Sequence, residues 1–224
     1  MNTQKTGILV AAIVLLFSSS VVYAQDTVFT PVRNDTLAAE FAPAIINNEA
    51  FGPLAGVYYR AASDSAGNTY IAYHPVWPYE RNETSGCMPL LNRSVYTGGL
   101  GLQKKMFGPG DIEVVIVVLD KNKKPVSVKY ETAENYNPSG FGVKHKTIEE
   151  KDAIAVPLCF KVVSWNHLFS RTDTEAVPAG HKLITSRPQY FEKAYWEYYG
   201  MHKQKEGALS KNRAHAVWER VAAE

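Results

Sequence analysis

Asp111 and Glu113 are the residues whose type and spacing invite chemistry. They open the strand-like run "DIEVVIVVL" with one residue between them. Side chains alternate along a strand, so both acids share a face with Val115, Val117 and Leu119. Two carboxylates on one face repel each other, and a cation, a shared proton or water relieves the repulsion. Hard oxygen ligands joined by one imidazole suit Mg²⁺, Ca²⁺ or Mn²⁺ with bound waters. The plainer alternative is a pair of solvated acids beyond the end of the core, or acids paired with Lys104, Lys105 or Lys129.

The element that positions the acids reads as a β-hairpin. With a loop at Lys121 to Lys124, Leu119 faces Val126, Val117 faces Val128 and Val115 faces Tyr130, so the apolar sets coincide. Carried further, that register sets Glu134 opposite Asp111. Upstream, "GVYYRAASDSAGNTYIAYHPVW" (56 to 77) reads as strand, turn and strand, with the turn at 63 to 68. "TLAAEFAPAI" (36 to 45) has a short helical period cut by Pro43, and residues 152 to 170 hold one or two more strands. The glycine- and proline-bearing segment 78 to 110 is the longest loop-like region, of the kind that carries function on β scaffolds.

β-rich character ends near Ile184. "TSRPQYFEKAYWEYYG" then reads as a helix, with Ser186 and Gln189 at capping-box spacing and Gly200 as its stop. A second helix is expected from Ser210, with Ala214, Val217, Trp218 and Val221 on one stripe. The expected fold is mainly β: an antiparallel β-sandwich over 25–185, followed by a helical extension of two helices over 186–224.

The chain has 224 residues. Lys5, the apolar run from Gly7 to Phe17 and the small-residue site at Val22 to Ala24 match a secretory signal over 1–24. An uncleaved anchor is the alternative. A secreted, extracellular or periplasmic protein is expected. Of 24 basic residues Lys5 falls in the signal, so 23 face 22 acids and the mature charge is +1. That near-neutral balance argues against a nucleic-acid partner. In an oxidising compartment Cys87 and Cys159 are expected to form one disulfide, worth roughly 4 kcal/mol in the chain-entropy model; two buried thiols are the alternative.

From Gly110 the run "GDIEVVIVVLDKNKKPVSVKY" resembles a signature of the necrosis- and ethylene-inducing-like proteins and of the wider Gly-Asp-Trp-Glu family that includes vacuolar-protein-sorting-like proteins. "LAAEFAPAI", "YIAYHPVWPY" and "SWNHLF" sit where that family has similar segments, so the resemblance spans residues 37 to 170. It implies a β-sandwich. In the toxin branch it also implies a surface cavity where the acids and a His hold a divalent cation and meet lipid headgroups. By position Asp111 and Glu113 match the two acids. Ile112 stands where the pattern has an aromatic residue, and Gly108, Pro109 and Gly110 stand in place of the preceding His. His167 or His74 would have to supply the imidazole.

Trp77, Tyr79 and Trp165 are candidates for stacking on a sugar ring or lying at a lipid interface, although aromatics this dense also build cores. No nucleophile elbow, zinc-protease His pair or phosphate-binding glycine loop is present. The leading expectation is a toxin-like or lectin-like module that recognises glycan or lipid headgroups, with a divalent cation assisting. The alternatives are a secreted hydrolase using a metal-activated water at the same acids, with His167 or His74 as ligand or base, and a structural envelope protein without a site.

Overall fold

Alternation decides which side chains meet across the sheets. Along Thr69–Trp77 the odd residues Ile71, Tyr73 and Trp77 join one core, while Tyr70, Ala72 and Val76 pack on the opposite face. The structure, a computed structural model, describes residues 28–80, 91, 109–138, 143–151, 154–172 and 176–201. The signal, Cys87, most of the 78 to 110 segment and the helix expected from Ser210 lie outside the described residues.

Twelve strands and two α-helices are described: β1 (Thr30–Val32), α1 (Asp35–Glu40), β2 (Ala44–Asn48), β3 (Gly56–Ser63), β4 (Thr69–Trp77), β5 (Asp111–Ile112), β6 (Val115–Leu119), β7 (Pro125–Glu134), β8 (Lys144–Lys151), β9 (Cys159–Val162), β10 (Phe169–Arg171), β11 (His181–Ile184), β12 (Gln189–Tyr190) and α2 (Lys193–Tyr198). The larger sheet runs β1-β3-β4-β6-β7-β8, with β12 on β3 and β5 on β4. The smaller runs β10-β9-β2-β11. Ile45, Phe160, Val162 and Phe169 of the smaller sheet share one core with Tyr59, Tyr73, Val117 and Val128 of the larger. The fold is thus mainly β and sandwich-like, as expected. Two pairings, β2 with β9 and β12 with β3, are parallel rather than antiparallel. No helix among the described residues is long and apolar enough to cross a membrane.

The hairpin register holds where the core demands it and slips at the tip. Val117 faces Val128 and Val115 faces Tyr130. Leu119, however, faces Pro125 rather than Val126, across an irregularity at Val118. Asp120 Oδ1 accepts from the amides of Asn122 and Lys124 and tightens the loop, leaving Val126 exposed. Glu134 does not reach Asp111. It pairs with Lys144 of β8, while Asp111 pairs with Trp77 of β4, because pairing of β6 with β7 ends at Val115.

The C-terminal helix begins later than its capping spacing indicates. Pro188 disfavours helix for the residue before it. Gln189 and Tyr190 instead lie parallel to Tyr58 and Tyr59, and Phe191 N donates to Tyr59 O at 2.8 Å. Ser186 and Gln189 therefore do not cap α2; its N-cap is Glu192, which makes no side-chain capping bond. Gly200, at φ 71°, ends the turn with its N–H on Glu197 O, as expected.

Tyr130 lies in the core with its hydroxyl on Glu150 Oε1 at 2.9 Å. Burial, and then the Glu150 carboxylate, push its phenol up to about 12. Burial also raises Tyr59 and Tyr73. The unfolded chain loses these protons near the ordinary phenol value while the fold keeps them, so stability is expected to fall as pH rises from about 10 towards 12. Urea midpoints measured across that window should decline less in Tyr130→Phe than in the wild type.

Candidate functional site

The two sheets are tied at one corner by polar links. Trp77, at the end of β4, donates Nε1–H to Asn47 Oδ1 of β2 at 2.9 Å, and Asn47 Nδ2 donates to Gly52 O at 2.8 Å. Asp111, opposite Trp77 on β5, meets His167 of the β9 to β10 turn, with Oδ2 2.6 Å from Nδ1. The imidazole is fully buried and stacks on the Trp77 indole at 4.2 Å, 10° from parallel. Its Nε2 lies 3.2 Å from Phe51 O. A carbonyl only accepts, so Nε2 carries a proton, and one further proton lies between Nδ1 and the carboxylate. Both imidazole nitrogens are therefore engaged.

The backbone of the turn holds His167 in place. Its φ of 61° is left-handed, an uncommon state for a residue with a side chain and one that clusters at functional sites. Its N–H bonds Ser164 O at 2.9 Å, and Leu168 N bonds Ser164 Oγ at 3.1 Å. Just before β5, Gly110 has φ 82°, and a Cβ there would sit 2.6 Å from Trp77 O, so only glycine fits against β4.

Glu113 keeps the register of Asp111. Trp77 pairs with Asp111, Val76 with Ile112 and Tyr73 with Val115, so the count between β4 and its neighbours is unbroken. The ladder lapses at Glu113 because its opposite, Pro75, has no N–H to give; Glu113 N still donates to Pro75 O at 3.3 Å. Parity therefore puts Glu113 on the face of Asp111 and Val115, as the sequence predicts, and both acids are buried rather than solvated. Lys129 is engaged with Glu149 at 3.5 Å. Lys104 and Lys105 lie outside the described residues.

The same parity separates His74 from the acids. It is an even residue of β4, fully buried against Phe191 and Trp196 on the other face of the sheet. Trp77 and Trp165 are buried as well, so neither can offer a ring face to a ligand from solvent. Of the three proposed stacking residues only Tyr79 is exposed, at 42%. A Cβ built on Gly52 would be 3.7 Å from Tyr79 Cε2, which places the ring beside the residue that follows Phe51. Cys159 is half-buried at the start of β9.

With both His167 nitrogens engaged, a cation held jointly by the acids and this imidazole does not fit the donor set. Among the described residues no group of three or more His, Cys, Asp and Glu side chains gathers to hold a metal ion. Comparison with family models, with curated proteins and with solved structures finds no match. Sequence reasoning missed Asn47, which anchors Trp77, and a second carboxylate and imidazole pair, Glu131 with His145. Neither carries a local signal, since each becomes meaningful only once its strands have paired.

Proposed function

We propose that this protein is an exported β-sandwich module that binds a polyhydroxylated headgroup, of a glycan or of a lipid. Its binding corner is built from Tyr79, Gly52, Asp111 and Glu113. The observation that carries this reading is one exposed aromatic ring set beside the corner where two buried carboxylates share a face. An aromatic face packs on the apolar side of a sugar-like ring, and the edge of Asp111, whose side chain keeps 10% exposure, accepts from a hydroxyl with a charge-assisted bond. The resemblance of the run from Gly110 to the necrosis- and ethylene-inducing-like proteins supports a headgroup ligand. The closed imidazole favours binding over hydrolysis, because His167 has no free nitrogen to act as a base.

The test is a soluble glycan array together with flotation of the purified chain on phosphatidylinositol and phosphatidylcholine vesicles. Saturable binding to one source is expected. Tyr79→Ala should weaken it about tenfold, roughly 1.4 kcal/mol, without unfolding the chain. Binding to neither source, or binding indifferent to Tyr79, would leave the structural envelope reading in its place.

A further inference from the structure

The turn that presents His167 also closes a second polar chain. Leu168 N–H donates to Ser164 Oγ at 3.1 Å, and Ser164 donates to Asn166 Oδ1 at 2.7 Å. Asn166 Nδ2 lies 3.1 Å from His145 Nε2, and His145 Nδ1 lies 2.5 Å from Glu131 Oε2. With the Ser164 hydroxyl donating to Oδ1, the remaining roles follow in order. Asn166 turns its NH₂ to His145, so Nε2 is the bare nitrogen and Nδ1–H points at Glu131. The chain ends on a carboxylate that is 1% exposed and whose Oε1 has no hydrogen-bond partner among the described residues.

We infer that Glu131, His145, Asn166 and Ser164 form a proton-binding site that controls the turn carrying His167. A proton added at His145 Nε2 makes it a donor facing the donor Nδ2. The Asn166 amide then turns over, so that Oδ1 accepts from Nε2–H and Nδ2 donates to Ser164 Oγ. That oxygen has a second lone pair for this bond, and the hydroxyl proton is released from Oδ1. The buried Ser164 O–H gives up its acceptor in this step, and against that cost an imidazolium now faces the buried Glu131 carboxylate. The His145 side chain is 18% exposed, which gives the proton a route from solvent. The other titratable groups around it are Glu134, paired to Lys144, and Lys146 on the two strands, with Tyr136 and His167 on the turn side. Ser164 takes the His167 N–H on its carbonyl and the Leu168 N–H on its hydroxyl, so a change at its bond to Asn166 reaches the backbone on both sides of the His167 ring.

The proton step stands on this geometry alone; its bearing on ligand rests on the headgroup reading above. The experiment is therefore done without ligand, so that failure of one leaves the other standing. Nitrogen-15 spectra of the histidine rings are followed across a pH titration of the wild-type chain. At high pH His145 should show a bare Nε2 and a protonated Nδ1. On acidification both nitrogens become protonated, and the Asn166 side-chain NH₂ and the His167 ring signals move with the same midpoint. Asn166→Asp cannot donate to Nε2, so it should hold His145 doubly protonated to higher pH. A bare Nδ1 at high pH would overturn the inference. So would a His145 titration that leaves Asn166 and His167 unmoved, or an unchanged titration in Asn166→Asp.

Discussion

Replacing Asp111 with alanine is expected to destabilise the folded chain by roughly 3–5 kcal/mol. His167 is fully buried, and its Nδ1 would lose the only hydrogen-bond partner described for it. The turn that carries it would keep its left-handed backbone with only the Phe51 carbonyl and the Trp77 stack left on the ring. The cost comes from the stranded group more than from the attraction lost. Asp111→Ala combined with His167→Ala should therefore cost less than the two single changes added, by about 1–3 kcal/mol of coupling. Urea unfolding of the four chains measures this. A single-variant loss under about 1 kcal/mol, or strict additivity, would mean that the pair does not bind the sheets together.

Trp77→Ala should cost about as much, roughly 3–5 kcal/mol, for a different reason. The indole is fully buried, so its removal leaves a large cavity between the sheets. It also strips the stacking surface from His167 and the donor from Asn47. Trp77→Phe separates the parts. It keeps most of the volume but leaves Asn47 Oδ1 without the indole N–H, a loss of about 1–3 kcal/mol. Equal losses in the two variants, read as urea midpoints, would show that the hydrogen bond and not the packing dominates.

The hairpin and the shared face of the two acids were legible from the sequence because alternation is local. Val115, Val117 and Val128 declare the buried side, and Asp111 and Glu113 inherit it by parity. The partner of Asp111 was only partly legible. His167 is 56 positions away and arrives through the second sheet. His74 looked equally eligible until the pairing of Trp77 with Asp111 set its parity opposite. Trp77 and Trp165 read as platforms because an aromatic side chain looks the same whether it faces solvent or core. Gln189 and Tyr190 read as helix because their partner strand, at Tyr58 and Tyr59, is far away in sequence. In each case the missing information was a long-range pairing, which no local period contains.

The corner at Tyr79, Asp111 and Glu113 is expected to receive a hydroxyl-rich ligand. Its most direct test is an amide chemical-shift map of the nitrogen-15-labelled chain titrated with inositol phosphate and, separately, with a short neutral oligosaccharide. Saturable shifts should concentrate at Gly52, Tyr79, Gly110, Glu113 and His167 with one of the two probes. Shifts confined elsewhere, for instance to the exposed Tyr195 and Tyr198 of α2, or no saturable shift with either probe, would contradict the account.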